Sequence, residues 1–340
     1  MRFAFTPESL AIRDSVRALL ARECTPARVR DAWSSDDGRV PGLWGRLAAL
    51  GVPGMLAPEE SGGLGLTEDE LVLVLEESGR FAMPEPIVET AAVAVPLLRD
   101  AGSALLGPVT RGEKVVAVGL ADAPFVVAAD TADIVLMERD GEVHALDRVA
   151  RTLERRPSID GARRLFHVTW QPSRATCVVE AGRGAKLLGE ARDRGAVAAA
   201  AQLLGLSRAM LATTVDYVKA RHQFGKPVGS FQAVKHHLAD ALMAVEMAAP
   251  VVYRAAHSLT RTDGQSSTHA SMAKAMASDA ANLVSRAALQ CHGAIGYAFE
   301  NDLHLWMKRA WALGAAWGDA ATHRARVGRT LFGAGEAGGA

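Results

Sequence analysis

The sequence predicts a mainly α-helical chain with a small β-domain set between two helical regions. Three observations predict it. Apolar residues recur at helical spacing from Thr6 to about Leu106, short β-branched segments separated by turn residues fill the stretch from about Glu113 to Gly182, and long alanine-rich helical patterns return from about Glu190. These patterns assign residues 1–112 to an N-terminal helical domain, 113–188 to a reduced middle β-domain, 189–334 to a C-terminal helical bundle and 335–340 to a tail.

In the first region Leu10, Val16 and Leu19/Leu20 share one helical face, and Leu43, Leu47 and Leu50 share another. Residues 51–54 and 58–65 concentrate glycine and proline in two bends, and Thr67 to Glu70 has the spacing of a capping box opening the next helix. The strands are read from VVAVGL, FVVA, DIVLM, EVHAL, LFHVTW and ATCVVEA. Beyond them Leu203/Leu204, Leu206, Met210/Leu211 and Val218 keep helical spacing up to the loop RHQFGKPVG. Ser230 is placed to cap a helix with the apolar face Val234, Leu238, Ala241/Leu242, Val245 and Val252, which Asp263-Gly264 terminates; a further helix runs from about Ser267 to His292. Frequent alanine lets these helices approach closely, so a four-helix bundle closed by the two C-terminal helices is the simplest architecture.

At 340 residues the chain suits two or three packed subregions around a sizeable core. Lysine plus arginine and aspartate plus glutamate both count 38, which removes the net field that a nucleic-acid or membrane-surface binder uses. A small-molecule or protein partner is expected instead. Cys24, Cys177 and Cys291 lie far apart without metal-ligand spacing, as free thiols of a reducing compartment do, and the expected location is cytoplasmic. His292 and His323 also lack ligand spacing, so no metal is expected. The N-terminus carries an acid within its first ten residues and amphipathic spacing, unlike a signal peptide, and the sequence reading finds no apolar run of the ~18 residues that a membrane span needs.

Two segments concentrate chemistry. The loop from Arg221 to Gly229, followed by Ser230, Phe231 and Gln232, sets a guanidinium, carboxamides and aromatic rings beside glycines at a helix end. An arginine fork and backbone N–H groups suit a diphosphate, while a helix C-cap with an exposed arginine explains the same residues. The segment from Gln290 to Tyr297 reads equally as a glycine stop behind a helix.

Together, LWGRLAALGVPGMLAPEESGGLGLTEDELVLVLEESGR, RHQFGKPVGSFQAVKHHLAD and QCHGAIGYAFENDLHLWMKRA, in this order around a β-domain, resemble the acyl-CoA dehydrogenase family. The resemblance covers both helical regions, and RHQFG with FQ ten residues after the arginine and QxxGxxGY downstream is its specific signature. It implies the family's fold and a FAD cofactor. Arg221 and Gln223 match contacts to the FAD diphosphate and adenosine half, with Phe224 beside them; Phe231 and Gln232 match further flavin-nucleotide contacts; Gln290, Gly293 and Ala294 match the family's QxxGG, with Ala294 in place of the second glycine. In the family these contacts reach a flavin whose ring lies in a neighbouring subunit.

The other half of the pattern departs. VVAVGLADAPFVVAADTADIVLM lacks the family's two β-domain motifs that hold the flavin ring. Abstracting a proton α to a thioester needs a carboxylate in a dry pocket with a tuned pKa. Aligning Arg324 with the family's arginine puts Trp317 where most members carry that glutamate, and the alternative position falls on Gly195. Asp319 is the acid of this corner, read as the cap of the last helix or as a shifted base. Asp193 and Arg194 fall near the family's CoA contacts, and a solvated helix start accounts for them equally.

The resemblance therefore implies the smaller, base-lacking subunit of a bacterial α2β2 acyl-CoA dehydrogenase acting on steroid side-chain thioesters. FAD is then shared at an interface with a homologous catalytic subunit, the substrate is an acyl-CoA, and electrons pass to an electron-transfer flavoprotein. Two alternatives stand beside it: a self-sufficient flavin dehydrogenase or oxidase using Asp319 as base, and a non-catalytic scaffold of the same fold.

Overall fold

The computed structural model describes residues 4–261 and 264–333. Asp263, expected to end a helix, and the 335–340 tail lie outside the described residues. The N-terminal region holds α1 (Pro7–Glu23), α2 (Pro26–Ser34), α3 (Leu43–Ala49) and α4 (Glu68–Arg80). Thr6 and Thr25 each cap a helix that has proline in its first turn, and the capping box opens α4, where the Thr67 N–H donates to Glu70 Oε2 at 3.0 Å. Leu50 does not share the buried face with Leu43 and Leu47; α3 ends at Ala49, which leaves Leu50 42% exposed. A π-helical stretch, Val88–Ala94, runs into α5 (Val95–Ala101), and every residue from Val88 to Leu98 is buried; α6 (Leu106–Thr110) closes the region.

Seven short strands follow, β1 (Val116–Gly119), β2 (Val126–Val127), β3 (Ile134–Arg139), β4 (Glu142–Leu146), β5 (Arg151–Arg156), β6 (Leu165–Trp170) and β7 (Cys177–Val179). They form two sheets, in the orders β1-β3-β4-β7 and β2-β6-β5, with β1 and β3 parallel. Strand β5, RTLERR, went unread in the sequence because Leu153 is its single large apolar residue; it lies at a sheet edge, where charge is tolerated and blunts pairing with other chains.

The bundle begins earlier than its sequence pattern. Helix α7 (Ala181–Ala220) is 40 residues long and starts within the span assigned to the β-domain, directly after β7. It crosses α4 at glycine contacts: a β-carbon on Gly205 would lie 1.8 Å from the Glu76 carbonyl oxygen, and one on Gly79 2.1 Å from that of Gln202. Against the sequence expectation, α7 is long and apolar enough to span a membrane, yet 83% of its apolar window is buried inside the protein, as in a core helix. After the hairpin of β8 (His222–Gln223) and β9 (Lys226–Pro227) come α8 (Gln232–Leu259), α9 (Ser266–His292), α10 (Leu303–Ala315) and α11 (Ala320–Phe332). Ser230 does not cap α8; Phe231 holds the cap position with no side-chain bond to the helix. The β5–β6 connection is tied to α10 by the buried pair Arg309–Asp160, and Arg309 also donates to the Met83 carbonyl at 2.6 Å. This arrangement of helical, β and helical regions is the acyl-CoA dehydrogenase fold.

Candidate functional site

Two places in this fold gather the residues singled out in the sequence. The first is a cleft of about 860 Å³ between the β-domain and the C-terminal helices. Its walls include Val118, Leu120, Phe125, Val127 and Leu165; Glu89 and Arg163 contribute charge, and the α10–α11 corner closes one side with Trp317, Asp319 and His323.

That corner is held by bonds to its own backbone. Trp317 and Gly318 adopt left-handed conformations, with φ of +57° and +86°. Lys274 is fully buried beneath them and donates from Nζ to the carbonyls of Gly314 (2.9 Å) and Gly318 (2.8 Å) and to Ser278 Oγ (3.2 Å). Burial lowers its pKa to about 7, against the opposing pull of Asp319. His323 donates from Nε2 to the Trp317 carbonyl at 2.8 Å, which leaves Nδ1 to accept from Ser271 Oγ at 3.1 Å; burial keeps this ring neutral by lowering its pKa.

Asp319 Oδ1 accepts from the Thr322 N–H at 2.7 Å and caps α11. That bond holds its exposed carboxyl below the usual range, the opposite direction from the shift a base gains in a dry pocket. The Trp317 ring lies against Gly195, where an added β-carbon would sit 2.2 Å from Cε3. The two positions at which the resemblance looked for a base are therefore one place, filled by an indole.

Asp193 and Arg194 do not form a solvated helix start. They stand inside α7, Asp193 is buried and bonded to Arg326 at 2.6 Å, and Arg194 pairs with Glu68 at 3.0 Å. Burial pushes the Asp193 carboxyl up, while Arg326 opposes the shift.

The second place lies at the end of α7. None of the eight candidate nucleotide-contact residues, Arg221, Gln223, Phe224, Phe231, Gln232, Gln290, Gly293 and Ala294, lines the cleft. The β8–β9 hairpin carries the first three; Phe224 has φ of +53° and is 90% exposed. Phe224 and Phe231 meet edge to face at 6.1 Å, and Lys226 Nζ stands 4.4 Å above the Phe231 ring. Gln290, Gly293 and Ala294 are exposed at the end of α9. The two segments share one end of the bundle because Tyr217, just before the hairpin, stacks on His292 at 4.2 Å. The Arg221 guanidinium has no hydrogen-bond or ion-pair partner among the described residues.

Sequence reading missed Lys274, Glu89 and Arg163. Lys274 had a readable signal: it falls in phase with Ala270, Ala277 and Ala281 on the buried stripe of α9. Glu89 is the lone acid in the buried run VETAAVAVPLL. Arg163 gives no comparable signal, because its place depends on how the β5–β6 connection folds back.

A small two-sheet domain between helical regions, a cleft beside the bundle and an arginine hairpin at its end define the acyl-CoA dehydrogenase class of flavoproteins. The chain belongs to the acyl-CoA dehydrogenase family: family models described as its N-terminal domain and its C-terminal domain match residues 6–105 and 182–332. It is 33% identical to the acyl-CoA dehydrogenase IpdE2 of Mycobacterium tuberculosis over 306 residues, covering 89% of this chain and 91% of that protein. Among solved structures, a variant of the steroid acyl-CoA dehydrogenase Tcur3481-Tcur3483 superposes with a TM-score of 0.84 at 25% identity, covering 95% of this chain and 97% of that one. The ChsE4-ChsE5 complex of Mycobacterium tuberculosis shares the fold, with a TM-score of 0.87 at 22% identity over 97% of this chain and 99% of that one. The family places the chain among FAD-binding oxidoreductases that act on CH–CH bonds.

Proposed function

We propose that the chain is the smaller subunit of a heteromeric, α2β2-type acyl-CoA dehydrogenase of steroid side-chain thioesters. It supplies Arg221, Gln223, Phe224, Phe231, Gln232 and the segment from Gln290 to Ala294 to the nucleotide half of a FAD whose ring a homologous catalytic subunit holds. Bound FAD would supply a hydride acceptor for the β-carbon, with the α-proton going to a base of the partner and the electrons to an electron-transfer flavoprotein.

One observation carries this reading: the Trp317 ring packs on Gly195 and fills the place of the missing carboxylate. The open end of the bundle supports it. An unpartnered guanidinium, three exposed carboxamides and two phenylalanines suit a diphosphate and a stacked base brought by another surface, and make only half a site alone. The outer faces of α8 and α9 support it too: on α8 Leu242, Met243 and Met247 are 48%, 58% and 61% exposed, and on α9 Met272 and Leu283 are also exposed. The similar steroid acyl-CoA dehydrogenase and the two-component ChsE4-ChsE5 complex support the same substrate class and assembly.

The test is to purify the chain alone and with partners encoded beside it, and to record visible spectra. Flavin absorbance is expected only on co-expression, and Arg221→Ala should diminish it. A yellow chain that oxidises an acyl-CoA unaided, and loses that activity in Asp319→Asn, would sink the proposal in favour of the self-sufficient enzyme. A colourless product in every complex would favour the scaffold.

A further inference from the structure

The cleft contains two charges to which no other side chain is bonded among the described residues; the Glu89 carboxylate has its own backbone N–H and the field of Arg163. Glu89 is 6% exposed, and its carboxylate makes no side-chain hydrogen bond or ion pair among the described residues. Arg163 faces the same cleft, and its guanidinium likewise has no hydrogen-bond or ion-pair partner among them. The polar neighbours in the void behind Glu89 are committed elsewhere: Arg309 to Asp160 and the Met83 carbonyl, Gln202 to Ser78 Oγ at 2.9 Å. A buried carboxylate with no cation bonded to it is costly to keep, and π-helical turns such as the one bearing Glu89 concentrate at functional positions. Burial pushes the Glu89 carboxyl up, and Arg163 is the largest opposing influence.

We propose that this chain's own cleft is a ligand site, distinct from the shared flavin, which takes a hydroxylated alicyclic molecule with its hydroxyl between Glu89 and Arg163. The charges select that group. Glu89 repels an anion and Arg163 repels a cation, whereas a hydroxyl donates to the carboxylate and accepts from the guanidinium. Val118, Leu120, Val127, Leu165 and the Trp317 ring offer apolar walls, and about 860 Å³ lies in the range of pockets that enclose ligands of this size. At the rim Arg192 is bonded to Asp122 and Glu138, and Arg326 to Asp193, but exposed Arg329 has no partner among the described residues and suits a carboxylate at the far end of the ligand. The alicyclic body rests on the steroid reading proposed above; the hydroxyl does not.

Calorimetric titration of the flavin-free full chain with lithocholate and with 5β-cholanate, which share a skeleton and a carboxylate and differ by one hydroxyl, tests the site. The hydroxylated acid should bind about tenfold tighter or more, the usual consequence of leaving buried polar groups unmatched. Glu89→Gln and Arg163→Met should each cut that preference to below about threefold without weakening 5β-cholanate, and Arg329→Ala should weaken both acids alike. If Glu89→Gln does not fold, Arg163→Met from the opposite wall reads the same preference. Equal affinity for the two acids, no binding of either, or a preference that survives both cleft variants overturns the proposal. The titration involves no flavin, so a hydroxyl preference found where co-expression yields no FAD would refute the shared-flavin reading and leave this site standing, and the reverse pair of results would do the opposite.

Discussion

The corner at Trp317 and the hairpin at Arg221 stand at two candidate sites on the same bundle, and they are built in opposite ways. At the corner the polar groups are matched within the chain: Lys274 to two carbonyls, His323 to a third, and Asp319 to the helix it caps. At the hairpin and the neighbouring helix ends the Arg221 guanidinium, the carboxamides of Gln223, Gln232 and Gln290 and the Phe224 ring are exposed. Sealing one place by packing while leaving the polar groups of the other uncovered is the arrangement that the proposed function, a site completed by another molecule, calls for. Interior packing governs the first region and, under the proposed function, assembly the second, and substitutions should separate them.

The largest effect is expected at the junction that holds the cleft together. Arg309→Met strands the buried Asp160 carboxylate and should cost about 3–5 kcal/mol in denaturant unfolding, the usual result of removing one partner of a buried pair. Next comes Gly195→Ala, whose β-carbon collides with the indole; a loss of about 1–3 kcal/mol is expected, and a double-mutant cycle with Trp317→Ala should show coupling. An additive cycle would break the claim that the two residues occupy one place.

A pH series sharpens the comparison further. Folded Lys274 releases its proton near pH 7, whereas the unfolded side chain holds its proton to about pH 10.4. Between those values the unfolded state binds more protons, so stability should rise with pH, and the rise should be absent from Lys274→Met. The smallest effect belongs to the open end: Arg221→Ala should change the stability of the isolated chain by less than about 0.5 kcal/mol while lowering flavin content in the complex. A large loss of stability there would mean that the hairpin serves the fold.

Much of the fold was legible because its signals are local. Thr67 and Glu70 announce a helix start through their own bonds, and the alternation in EVHAL and LFHVTW needs only a pleated backbone to explain it. What escaped depends on contacts between distant segments. RTLERR is a strand because LFHVTW pairs with it, and α7 starts at Ala181 because the chain turns directly out of β7 into the bundle. The corner was legible as a departure from a family pattern, yet Lys274, which supports it, comes from a different helix 40 and 44 positions from the carbonyls it binds. Glu89 and Arg163 are united only by the cleft they line.

Helix α7 fixes more than the packing of its own face. Gly195, against the indole, and Arg221, at the helix end, belong to one uninterrupted ladder of backbone hydrogen bonds, and at 1.5 Å per residue they stand about 39 Å apart. The helix is thus a ruler with the cleft at one mark and the exposed arginine hairpin at another.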